Sequence, residues 1–157
     1  MVGGDWSPSV LVIGIASQFG SKGKIQTYVI LTLCVFKLED LTAYQVASQY
    51  RRTIQPIIRS LPKHELYELG MQMRRASRSP AANVAEGYGR YHYQENIQFC
   101  RIARASLNEM KAHLNCALEE KYISQETYEY LYSETEKTSK IINGYISFLK
   151  KERARKK

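Results

Sequence analysis

Aromatic and cationic side chains alternate in the segment Glu86–Tyr93, EGYGRYHY, where Tyr88, Tyr91 and Tyr93 interleave with Arg90 and His92. A tyrosine ring offers a stacking face to an unpaired nucleobase, worth about 1–3 kcal/mol, and arginine adds charge and cation–π attraction. Arg74, Arg75 and Arg78 precede this elbow, and Arg101 and Arg104 follow it. A second basic cluster lies in the octet Lys150–Lys157. Six bases (Lys150, Lys151, Arg153, Arg155, Lys156 and Lys157) stand there against one acid, Glu152. Clusters of this kind attract phosphate backbones regardless of sequence. A structural reading competes with this one. The tyrosines would cap a helical bundle, the arginines would pair with Glu86, Glu95 and Glu109, and the basic run would be a solvated, frayed end.

Catalytic patterns are missing from the sequence. Gly87-Tyr88-Gly89 lacks the third glycine and the preceding strand of a dinucleotide loop, and there is no P-loop. His64, His92 and His113 form no HxxxH or ExxH arrangement. Glu109 and His113 are four residues apart, but two ligands make neither a catalytic metal site nor a diiron centre. Cys100 and Cys116 read as small core residues on or beside a helix seam. Spacing names no nucleophile, base and orienting group. The chain therefore reads as a non-enzyme without metal or cofactor.

Those residues must be held by some scaffold, and composition limits which. The chain has 157 residues, enough for one domain, with 44% apolar and 24% charged residues, as in an ordinary globular protein. Its formal charge is +8, yet residues 37–149 hold 15 bases against 13 acids, so the excess sits mainly in the final octet. Basic excess favours a polyanionic partner. Three widely spaced cysteines, Cys34, Cys100 and Cys116, give no disulfide framework, which points to reduced thiols and a cytoplasmic location. Residues 1–36 contain two apolar stretches, Val10–Ala16 and Tyr28–Phe36, each far shorter than the roughly 20 residues of a membrane span. No base precedes the first stretch, as a secretory signal would require. This extension reads either as a β-hairpin or disordered segment, or as the product of a start codon placed too far upstream.

From Leu38 onward the apolar periodicity is helical. Leu41, Tyr44, Ala47 or Ser48, Tyr50 or Arg51, Ile54 and Ile58 mark a first helix, stopped at Leu61-Pro62, with Pro56 predicting a kink or an early end. Leu66, Leu69, Met73, Ala76, Pro80 and Val84 mark a second, which runs to Gly87 and Gly89 and bends at Pro80. The third is a heptad-like seam of Asn96, Cys100, Ala103, Leu107, Met110, Leu114 and Ala117, widened by Ile97, Phe99 and Ile102. The fourth starts at an N-cap, Ser124, and continues through Tyr128, Leu131, Thr135, Thr138, Ile142, Tyr145 and Leu149. Connections at 61–64, 87–92 and 121–124 are short, which makes sequential helices antiparallel. The expected fold is all-α: an antiparallel up-down four-helix bundle over residues 37–149, followed by a basic tail at 150–157. On the second helix, Asn83, Glu86 and Gly87 read as structural or interface residues. The polar pair would set helix register or subunit contact, cap the Gly87 turn, or bury an ion pair with Arg75. Ala76, Ala81, Ala82 and Ala85 suggest close helix approach there.

Specific motifs carry a resemblance. Arg74-Arg75-Ala76, Ser79, AANVAEGYGR (Ala81–Arg90) and ENIQFCRIARASLNEM (Glu95–Met110) resemble the bacterial four-helix-bundle family encoded in intervening sequences of 23S ribosomal RNA genes. LPKHELYELGMQMRRAS (Leu61–Ser77) and INGYISFLKK (Ile142–Lys151) are similar to its flanking parts. The second-helix proline falls one position early and Arg78 replaces a common aliphatic residue. The resemblance implies a homopentameric ring. It also implies similarity to accessory proteins of diversity-generating retroelements, which bind a reverse transcriptase and its RNA. It implies no catalytic residue. Self-association, most naturally as a pentamer, and an RNA or an RNA-handling enzyme are therefore the expected partners, with no membrane. A protein–protein scaffold without nucleic acid is the alternative. Because all four stripes follow Lys37, deletion of residues 1–36 is expected to leave cooperative thermal unfolding of the bundle intact, as followed by circular dichroism at 222 nm.

Overall fold

The computed structural model describes residues 37–156, and within them the chain is all-α. A single 3-10 turn, Leu38–Asp40, leads into four helices: α1 (Thr42–Ser60), α2 (Leu69–Tyr88), α3 (Tyr93–Glu119) and α4 (Gln125–Arg155). Each packs antiparallel to the next, and α4 returns against α1, so the four close a bundle. The readings of residues 1–36, as hairpin, disordered segment or misplaced start, lie outside the described residues.

Local chemistry sets the helix ends. Leu61 turns extended (φ −60°, ψ 151°), as a residue before proline must, and α1 stops one residue earlier. Of the kink or early end that its position predicts, the early end does not occur: Pro56 lies inside α1 and does not end it. It lies on the exposed face, where water can take the carbonyl it leaves unbonded. The second helix starts later than its apolar stripe implies: Leu66 belongs to the preceding turn, and α2 begins at Leu69. Glu65 fixes that start, because its carboxylate accepts the Leu69 amide at 3.3 Å and the Tyr122 hydroxyl at 3.1 Å. Pro80 is buried inside α2, which continues past it. After α3, Lys121 takes a left-handed conformation (φ 59°) that a glycine would adopt at less cost, and the Tyr122 amide returns to the Ala117 carbonyl at 2.8 Å. Ser124 caps α4 by accepting the Thr127 amide at 3.2 Å.

All seven positions of the α3 seam are buried, and Ile97 joins them. Cys100 is core, and burial pushes its thiol up to about 11. Cys116 is not core: it falls on the outer face of α3 and is exposed. Among the polar contacts between helices, three join a different helix pair each and fix the register. The buried Tyr50 hydroxyl lies 2.8 Å from Thr135 Oγ1, whose own proton goes to the Leu131 carbonyl, so Tyr50 donates. Ser106 Oγ bonds Ser79 Oγ at 2.8 Å, tying α3 to α2. Asn96 Nδ2 donates to the Tyr145 hydroxyl at 3.0 Å, tying α3 to α4.

The helices differ in length, and this shapes one end of the bundle. The Tyr50–Thr135 bond sets Thr42, at the start of α1, level with Asn143. Beyond that level α4 runs on from Gly144 to Arg155, about 18 Å at 1.5 Å per residue. There it lies beside the first turns of α3. The basic octet is thus mostly helix rather than a frayed end, because Glu, Arg, Ala and Lys are good helix formers and cations suit a helix C-terminus.

Candidate nucleic-acid interface

The elbow between α2 and α3 is reduced to Gly89–His92, and a close contact holds it. A Cβ at Gly87 would meet Asn96 Oδ1 at 2.8 Å, Phe99 Cβ at 2.9 Å and the Asn96 carbonyl at 3.1 Å. Only a glycine lets α2 approach α3 this closely. Asn83 lies one turn earlier and donates from Nδ2 to both the carbonyl and the hydroxyl of Ser79, each at 2.9 Å. It thereby joins the Ser79–Ser106 link. Glu86 forms no ion pair with Arg75; it pairs with Arg90 one turn on. Of the four alanines, Ala76 is buried in the contact, while Ala82 faces outward.

The three tyrosines divide. Tyr88 and Tyr93 are half-buried and pack on the core, so they cap the bundle. Tyr91 is 94% exposed, with His92 edge-on at 5.0 Å between ring centroids. The Arg90 guanidinium lies 4.9 Å above the Phe99 ring, held there by Glu86.

The end of α4 meets this elbow. Lys156 Nζ sits 5.1 Å above the Tyr93 ring, and the Tyr93 phenol first, then Glu152 and Tyr91, raise its pKa above the ordinary lysine value. Arg153 reaches the Gln94 side chain on the first turn of α3. Further along, Arg104 donates to Asn143 Oδ1 at 3.0 Å. Arg101 lies one turn from it on the same edge of α3, and Lys150 lies on the facing edge of α4. Arg101, Lys150 and Lys151 form no ion pair with a described residue. Glu152, the acid of the octet, pairs with Arg155 at 3.0 Å. α3 opens without a side-chain cap, so its positive dipole end adds to the field. The result is a cationic strip along the α3–α4 seam that ends in an exposed aromatic tip.

Other arginines lie elsewhere. Arg74 points toward the opposite end of the bundle and donates to the Leu66 carbonyl at 3.0 Å. Arg75 and Arg78 are exposed in the middle of α2, roughly 18–23 Å along the axis from Arg90. The structure does not bring these three to the elbow, and Lys157 lies outside the described residues. Gln94 is missed by reasoning from sequence, and so is the part of Tyr93 in positioning the end of α4, because the α3–α4 register that pairs them is a tertiary fact. At the opposite end Glu65, Glu68, Glu119, Glu120, Glu126 and Glu129 outnumber Arg59, Lys63, Arg74 and Lys121. The bundle is electrically polar from end to end.

Among the described residues no three His, Cys, Asp or Glu side chains gather as a metal site. His113 and Glu109 meet at 3.6 Å without a third ligand. The Cys100 thiol, buried and raised, holds almost no thiolate at neutral pH. No helix among the described residues is long and apolar enough to cross a membrane.

Comparison with known proteins follows the same lines. A family model described as 23S rRNA-intervening sequence protein matches residues 39–144. That match stops short of Lys150–Lys156. The chain is similar in structure to a crystallised protein of unknown function from the S23 ribosomal protein family of Bacteroides thetaiotaomicron. The TM-score is 0.62 at 20% identity, over 67% of this chain and 98% of that one. No curated protein matches the chain.

Two glycines give a paired test of the close approach at the elbow. Gly87→Ala is expected to lower stability by about 1–3 kcal/mol, because the methyl overpacks against the α3 backbone and outweighs the gain in helix propensity. Gly144→Ala, with nothing within 4 Å of the added atom, is expected to gain up to about 1 kcal/mol. Urea unfolding measures both.

Proposed function

The chain belongs to the 23S rRNA-intervening sequence protein family, and from that premise we propose that it is a non-catalytic, self-associating bundle that binds structured RNA. In this reading it acts as an accessory or scaffold factor in the cytoplasm, presenting RNA to, or holding it with, an enzyme such as a reverse transcriptase. The observation that carries the reading is the convergence of the last turns of α4 with the α2–α3 elbow. Arg101, Arg104, Lys150, Arg153 and Lys156 share one seam, Lys151 lies exposed on the outer face of α4, and Arg101, Lys150 and Lys151 form no ion pair with a described residue. A cation already neutralised by a carboxylate has little to offer a phosphate. These cations are available.

Self-association has its own support. Ile102 is 42% exposed on the outer side of the α2–α3 pair, near the exposed Ala82. Ile141 and Phe148 are exposed on the side of α4 toward α1. Two different apolar patches on opposite faces fit a head-to-tail contact, which forms a ring when its rotation closes. Light scattering after size exclusion is expected to give a closed oligomer, a pentamer, and Phe148→Glu is expected to shift it toward monomer. A wild-type monomer at micromolar concentration would overturn this part.

RNA binding is tested through salt. Removing Lys150–Lys157 takes six bases and one acid, so the formal charge falls from +8 to +3. The last core position, Leu149, stays in place. The slope of log affinity against log salt is expected to flatten by about 0.7–0.9 for each phosphate that the shortened protein no longer neutralises. An unchanged slope would remove the octet from the interface. Absence of RNA binding by the intact protein at low salt would leave a protein–protein scaffold as the function.

A further inference from the structure

Tyr91 is not explained by the fold. Its neighbours Tyr88 and Tyr93 are half-buried and close the end of the core, but Tyr91 stands 94% exposed at the tip of a four-residue elbow. The His92 ring lies nearly perpendicular to it at 5.0 Å, and at this exposure a flat face of the phenol is open to solvent. Exposing a large aromatic ring gains nothing for stability. The surroundings limit what can cover it. Lys156 lies over the Tyr93 ring, and Arg153 reaches the adjacent first turn of α3. A planar ring flanked by cations suits a ligand that carries a flat π-face and a negative charge one sugar apart.

We propose that Tyr91 is a stacking platform for one unpaired nucleobase, whose phosphate falls beside Lys156 and Arg153, so that the tip of the bundle selects single-stranded or looped-out nucleotides. This inference rests on the RNA-binding reading above and narrows its ligand. Stacked bases in a perfect duplex bury their faces against each other, and only splayed-out bases can cover an aromatic side chain. The two parts of the surface then divide the work. The α3–α4 strip holds backbone of any kind, and the tip distinguishes paired from unpaired bases.

The test uses the full chain and two labelled RNAs of equal length, an unstructured single strand and a blunt duplex, followed by fluorescence anisotropy at low salt. The single strand is expected to bind more tightly. Tyr91→Ala is expected to weaken it about 5- to 150-fold, the range for loss of one base–aromatic stack, with duplex affinity unchanged. Tyr91→Phe and Tyr91→Trp are expected to retain binding, since both keep the π-face. A 2-aminopurine placed in the single strand is expected to lose fluorescence on binding wild type but not Tyr91→Ala. Tyr91 lies outside the core, so these variants fold. Equal weakening of single strand and duplex by Tyr91→Ala would overturn the stacking role. So would unchanged single-strand affinity in Tyr91→Ala when removal of Lys150–Lys157 abolishes binding, and that result would leave the basic-face reading standing. Failure of the intact protein to bind either RNA would overturn both.

Discussion

The approach of α2 to α3 at Gly87 is the constraint on which the rest depends. At this point the backbone of one helix lies against Asn96 and Phe99 of the other, with no room for a methyl group. Three things follow from this closeness. Asn96 is held where its amide reaches Tyr145 on α4, so the α2–α3 pair is registered against the last helix. Phe99 is placed under the Arg90 guanidinium, which with Glu86 fixes the direction of the chain leaving α2. The elbow that remains has only four residues, too few to fold back on the bundle, and Tyr91 at its tip has no apolar surface to meet. A looser approach would allow a longer, wandering connection and lose the fixed relation between the elbow and the end of α4.

Charge then follows from helix length. Because α4 outruns α1, its last turns have α3 beside them among the described residues, and the residues there are mostly cations. Like charges one turn apart repel, which would fray an isolated helix end. Here the repulsion is offset locally: Glu152 pairs with Arg155, Arg153 leans on Gln94, Lys156 rests on the Tyr93 ring, and the helix C-terminus itself is negative. None of these interactions neutralises Lys150 or Lys151. The fold thus orders the cationic segment without pairing Lys150 or Lys151 with a carboxylate of the described residues.

Much of this is legible in the sequence, and where it is not the reason is physical. Every seam position of α3 is readable because a heptad repeat leaves no other face to bury. Ser124 is readable because an N-cap is a local interaction within three residues. Pro56 misleads because its cost depends on which face it occupies; on the exposed face water replaces the missing bond. Cys116 reads as inward from its nearness to the seam, yet one residue of helix is a 100° rotation and puts it outside. Glu65 is invisible as a helix-starting residue, since its partner Tyr122 is 57 residues away. The elbow and the octet are each legible as basic or aromatic clusters. Their meeting is not, because it depends on the stagger of two antiparallel helices, which apolar spacing leaves free and polar pins such as Asn96–Tyr145 decide.

Those pins also explain how such a bundle serves as a rigid platform. A seam of Ala, Cys, Leu and Met alone can slide by one turn at little cost, because one apolar contact is much like the next. A buried hydroxyl or amide cannot slide, since leaving it without a partner costs about 1–3 kcal/mol. Tyr50–Thr135, Ser79–Ser106 and Asn96–Tyr145 each span a different helix pair: α1–α4, α2–α3 and α3–α4. A slide of α4 by one turn would break two of them together and move Lys150–Lys156 about 5.4 Å relative to the elbow. Nucleotides along a strand are spaced on that same scale, so such a slip would misplace a phosphate by about one residue. The buried polar pairs therefore set the spacing of the outer surface, and the spacing is what a charged, repetitive ligand would read.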